Sequence, residues 1–124
     1  MKKSVWNFML STIMFIGLSP VQLAFSDSPP QEDLSPLIFK IEKEIKMPAN
    51  SLAIDKYARY YVLSNEKGIK VLVGTYRHDE KNSGIHIVRP ENIPQVMDGG
   101  CSIVNVRYDV VRKVFLEVFC NGVS

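Results

Sequence analysis

The chain has 124 residues, 46% of them hydrophobic, and carries 15 Lys and Arg against 13 Asp and Glu for a formal charge of +2. That excess is Lys2 and Lys3; without them, residues 27 to 124 balance 13 basic side chains against 13 acidic ones. A balanced chain lacks the cationic surplus that displaces phosphate counterions, which sets nucleic-acid binding aside, and a length of this order builds one domain around one core.

Lys2 and Lys3 precede an apolar stretch from about Phe8 to Leu18, and Ala24, Phe25 and Ser26 form an exit, the three parts of a cleavable secretory signal. Asn7, Ser11, Thr12 and Pro20 interrupt the run too often for a spanning helix of roughly 20 apolar residues, and no cysteine stands near the exit to take a lipid. The expectation is a signal peptide over residues 1–26, cleaved after Ser26, and a product in the periplasm or outside the cell with no membrane span. Residues 27–35, with Pro29, Pro30 and Asp33, then read as a flexible tail, and 36–124 as a single α+β domain.

Ser35 before Pro36 is a helix-start signal, because the serine oxygen can accept from an orphan amide and proline suits a first turn. Leu37, Ile38, Ile41 and Ile45 follow as one apolar stripe, with Lys40, Glu42, Lys43, Glu44 and Lys46 on the other side. The helix should end by Met47, ahead of Pro48. Two β runs come next, Tyr57 to Ser64 and Ile69 to Tyr76, joined by Asn65 to Gly68 as a hairpin loop. In that register Tyr57 faces Tyr76 and Arg59 lies across Gly74. Ala58, Tyr60, Val62, Ile69, Val71, Val73 and Thr75 share one face, the natural core, while Tyr57, Arg59, Tyr61, Leu72, Gly74 and Tyr76 share the other. A third short strand is expected at Ile85 to Val88. Residues 101 to 108 and 113 to 120 form a last hairpin around Asp109 to Arg112, which sets Cys101 directly opposite Cys120. An exported chain favours oxidation, so these two cysteines are expected to form a structural disulfide, worth on the order of 3 kcal/mol on the chain-entropy model.

The outcome is an α+β fold: one N-terminal helix packed on an antiparallel meander of about five strands. In element order alone this outline resembles cystatin-like domains; no motif accompanies the likeness.

Chemistry is sparse. His78, Asp79, Glu80 and His86 are the only group with zinc-ligand types, but the first three sit in a polar turn, so no metal and no cofactor is assigned. A nucleophilic triad lacks its sequence context. Asp98, Gly99 and Gly100 read as a plain turn that could offer amides to an anion. Asn105, in the apolar last hairpin, reads as a polar group satisfied within the core. The face bearing Tyr57, Arg59, Tyr61, Leu72 and Tyr76 is rich in the residue types of binding hot spots. It is the candidate binding surface, and the functional expectation is a small exported module that binds a protein partner in the cell envelope, such as an enzyme it inhibits. The alternative is a small envelope hydrolase or metal-dependent enzyme using His78 and His86. Neither partner nor oligomeric state is legible.

Overall fold

The computed structural model describes residues 33–123; the expected signal peptide lies outside them. The fold is that of the compact unit from Leu34 onward. Helix α1 (Ser35–Glu44) is followed by strands β1 (Tyr57–Glu66), β2 (Ile69–His78), β3 (Gly84–Ile87), β4 (Ile103–Asp109) and β5 (Val114–Cys120), which form one sheet in the order β3-β1-β2-β4-β5. The α+β architecture is as expected, with one departure. Strand β3 pairs parallel to β1, at the edge next to the first strand, so the sheet is mixed and not a meander. The connection from β3 to β4 therefore has to pass both β1 and β2. No described helix is long and apolar enough to cross a membrane.

The helix is set by its stripe more than by its cap. Leu34, expected in the tail, takes the N-cap position and is itself buried, as are Ile38 and Ile41. Each such aliphatic side chain contributes about 1.5–3 kcal/mol on removal from water. The helix ends at Glu44, with Ile45 extended, three residues before the expected stop.

The β1–β2 hairpin turns on two residues rather than four. Lys67 and Gly68 both adopt positive φ, 53° and 82°, the pattern of a turn whose twist matches that of its strands. Both strands gain two residues, and the register moves with them: Tyr57 opposes His78, Arg59 opposes Tyr76 and Tyr61 opposes Gly74. A slip of two leaves each residue on its expected face. Gly74 has a packing reason to lack a side chain, since a Cβ there would stand 3.0 Å from Cε1 of Tyr61 and 3.2 Å from Cε1 of Tyr76.

The last hairpin slips by an odd number, with the opposite effect. Val104, not Cys101, opposes Cys120, and a bulge at Arg107/Tyr108 leaves Tyr108 opposite Phe115. Val104, Val106 and Tyr108 therefore share a face with Cys120, Val118 and Phe115, while Ile103, Asn105 and Arg107 share the other with Phe119 and Glu117. Cys101 sits in a 3-10 turn, Gly100–Ser102, just ahead of β4. The disulfide to Cys120 still forms, with Cα atoms 4.6 Å apart, because the turn folds back on the strand end.

Helix α1 packs on the face of Tyr57, Tyr61, Leu72, Tyr76, Val104, Val106 and Tyr108, and this is the main core. The other face is partly covered: Ala58, Val62, Val71 and Thr75 are buried, whereas Tyr60, Val73, Asn105 and Arg107 are half-buried.

Candidate functional site

The Tyr/Arg face expected to bind a partner is beneath the helix. Tyr57, Tyr61 and Tyr76 are wholly buried, Leu72 is 1% exposed and Arg59 9%. Each polar tip has found a partner inside the chain. Arg59 donates from Nε to Glu42 Oε2 at 2.9 Å, and from its guanidinium to the carbonyls of Ile54 and Tyr57, each at 3.0 Å. The Tyr61 hydroxyl donates to the same Glu42 oxygen at 2.7 Å, and the Tyr61 and Tyr76 hydroxyls are 2.6 Å apart. Since Tyr61 has one proton and gives it to Glu42, Tyr76 must donate to Tyr61. The Tyr57 hydroxyl donates to Cys101 O at 2.6 Å and accepts from Leu52 N at 3.1 Å, joining the segment that leads into β1 to the disulfide turn. Burial pushes the phenols of Tyr61 and Tyr76 well above the ordinary tyrosine range.

This arrangement is a satisfied polar network that pins α1 to the sheet. At these exposures the five residues are core, and the expected surface is withdrawn. The signal that sequence reasoning passed over is Glu42. It stands four residues after Ile38, beside the apolar stripe, and so can reach under the helix.

The histidines do not converge either. His78 lies opposite Tyr57, on the helix-covered face, and its ring meets that of Tyr57 edge-on at 6.1 Å. His86 lies opposite Tyr60, on the other face, stacked on it at 4.9 Å. The two imidazoles leave the sheet in opposite directions, which removes the cleft a histidine-based hydrolase needs. His78 Nε2 is 3.1 Å from Glu80, whose carboxyl it holds below the ordinary range with help from Lys56, all at the surface. Among the described residues no three His, Cys, Asp or Glu side chains are placed to hold a metal ion. The Gly100 amide is already spent on Gly122 O at 3.2 Å, so the glycine turn acts as a connection.

What the structure does build is a corner at the end of β5. Asn121 is its hub. Its backbone amide bonds Ile103 O at 3.0 Å, its Nδ2 donates to Val96 O at 2.6 Å and Asp98 O at 2.8 Å, and its Oδ1 accepts from Asn105 Nδ2 at 2.6 Å. Asn105 is thus satisfied internally, and the loop before β4 is clamped to the strand end beside the disulfide. This frame holds apolar side chains out to solvent: Met97 is 87% exposed, Val123 88%, Phe119 45% and Val96 37%. Val123 lies against Gly100, where a Cβ would come within 3.3 Å of it. Sequence reading missed the corner because Met97 and Val123 lie in loops, and only the fold clamps the first of these loops to the end of β5. Farther up the same face, Arg107 is held between Glu66 and Glu117, which keep its guanidinium strongly charged. It forms one side of a small cleft with Ile69, Val71 and Leu116.

No protein-family model matches the chain, and it matches neither a curated protein nor a solved structure.

Proposed function

We propose that this protein is an exported protein-binding module that restrains a partner, an enzyme of the cell envelope, by docking through the β5 corner. The observation that carries the reading is that corner: four exposed apolar side chains on a frame fixed by a disulfide and the bonds of one asparagine. Exposed apolar side chains gathered on a rigid frame mark a docking surface more than a catalytic one. The N-terminal export pattern and the oxidised cysteines support the compartment.

The test is a photo-crosslinking amino acid placed at Met97 in the full chain, expressed in its native cell, with the same label at Glu80 as reference. The expected result is one discrete adduct with a different protein from Met97, none from Glu80, and loss of the adduct on adding Phe119→Asp. An adduct of the chain with itself alone, or equal adducts from both positions, ends the partner reading. If the captured protein is an enzyme, its activity should fall as purified chain is titrated in.

A further inference from the structure

Strand β5 is an outer strand, and its hydrogen-bonding parity follows from one bond. Asn121 N donates to Ile103 O, in register with the Asn105–Phe119 and Arg107–Glu117 pairs. In an antiparallel ladder, alternate residues point their N–H and C=O to the same side. Phe119 and Glu117 therefore point toward β4, while Val118 and Cys120 point their backbone groups outward, where no described residue bonds them. The opposite edge, β3, is only four residues long. β5 runs for seven, Val-Phe-Leu-Glu-Val-Phe-Cys, without the lysine or proline that commonly blocks an edge. Its one charge, Glu117, is held by Arg107.

An edge of this kind accepts another extended strand. Of the strands it could accept, its own copy is self-complementary, and we propose that β5 pairs antiparallel with β5 of a second copy about a two-fold axis at Phe119, joining two sheets into one. Three registers can be weighed. An axis at Glu117 sets two carboxylates directly opposite each other, which is unfavourable. An axis at Val118 sets Glu117 against a phenylalanine ring. An axis at Phe119 lets Val118 of each protomer exchange both backbone bonds with Cys120 of the other, and places the two Phe119 rings opposite each other in a non-hydrogen-bonded pair, where side chains stand closest. Glu117 then falls beyond Cys120, the last strand residue of the other protomer, and keeps its ion pair with Arg107. The same axis covers part of each Phe119 ring, which is 45% exposed in the single chain. With 13 acidic residues matched by as many basic ones beyond residue 26, net charge offers little repulsion against self-association. The dimer goes beyond the partner reading and does not depend on it: a second protein using this edge would have to displace the twin.

The experiment uses the purified, oxidised protein alone, with mass measured by light scattering over a wide concentration range and amide exchange followed at Val118 and Cys120. The expected result is a shift from one to two chain masses with concentration, accompanied by at least about a tenfold slowing of exchange at those two amides, which have no acceptor among the described residues. Phe119→Asp should hold the chain at one mass at concentrations where the parent is two. A single chain mass throughout overturns the proposal, and so does a dimer in which the Val118 and Cys120 amides exchange as fast as in dilute protein. The wild-type exchange result stands even if the variant folds poorly. A partner adduct in cells without any dimer would leave the docking reading in place while removing this one.

Discussion

Two regions of this molecule invert what residue type alone suggests. The face of Tyr57, Arg59, Tyr61 and Tyr76 has the composition of a binding surface, and it is core. The corner of Val96, Met97, Phe119 and Val123 has the composition of a core, and it is exposed. The difference lies in what each set of groups meets. A tyrosine or arginine can be buried at little cost when its tip is paired, and Glu42 together with the carbonyls of Ile54, Tyr57 and Cys101 supplies those pairs. An apolar side chain on a clamped loop cannot retreat once Asn121 has fixed the backbone beneath it.

The strongest way to break the comparison is Arg59→Ala. If the face is core, this leaves Glu42 without its cation in a site where both side chains are about one-tenth exposed, and stability should fall by about 3 kcal/mol or more, read as a lowered urea midpoint. A folded protein of unchanged stability would return the face to the surface. Next is loss of the staple. Cys101→Ser with Cys120→Ser removes a bridge of sequence separation 19 and should cost on the order of 3 kcal/mol, with the loop carrying Met97 becoming the first segment cut by protease. A corner that stays protected would show that Asn121 suffices.

A finer contrast lies between two buried phenols. Tyr61→Phe removes a donor to Glu42 and orphans the Tyr76 hydroxyl, for a loss of about 2 kcal/mol. Tyr108→Phe removes the one buried side-chain polar atom that has no hydrogen-bond partner among the described residues, and stability should stay within about 0.5 kcal/mol.

The first pair also sets a pH dependence. Because Tyr61 and Tyr76 are raised in the folded protein, their contribution is complete below the ordinary tyrosine pKa of about 10 and is lost as pH rises above it, where only the unfolded chain releases the protons. Urea midpoints from pH 8 upward should therefore drop past about 10, and drop less steeply in Tyr61→Phe. An equally small stability effect is expected for Phe119→Asp, within about 0.5 kcal/mol at concentrations where both chains are single, even as it abolishes association. Measured by the same urea titration, a large loss there would make the corner part of the core after all.

Much of the fold was legible because it depends on local pattern. The helix stripe, the two hairpins, the short third strand and the single possible cysteine pairing each follow from period, turn residues or count. Which residues share a face of β1 and β2 also survived, since a two-residue turn in place of four slips the register by an even step. The β4–β5 hairpin shows where this fails. The two strands slipped by an odd step, and the cysteine expected across from Cys120 turned out to lie in the turn ahead of β4. The bond formed regardless, because a disulfide needs proximity and not a ladder position.

By itself the sequence determined the α+β class, the order of elements, the disulfide and the balance of charge, all of which depend on neighbours along the chain or on plain counts. Only the tertiary structure decided which side of the sheet the helix covers, that β3 joins the far edge in parallel, and that the loop carrying Val96 and Met97 is clamped to the end of β5. Those outcomes turn on pairings between distant residues, Glu42 with Arg59 and Asn121 with Val96. Such pairings are chosen by the joint free energy of burial and hydrogen bonding, to which no local period gives access.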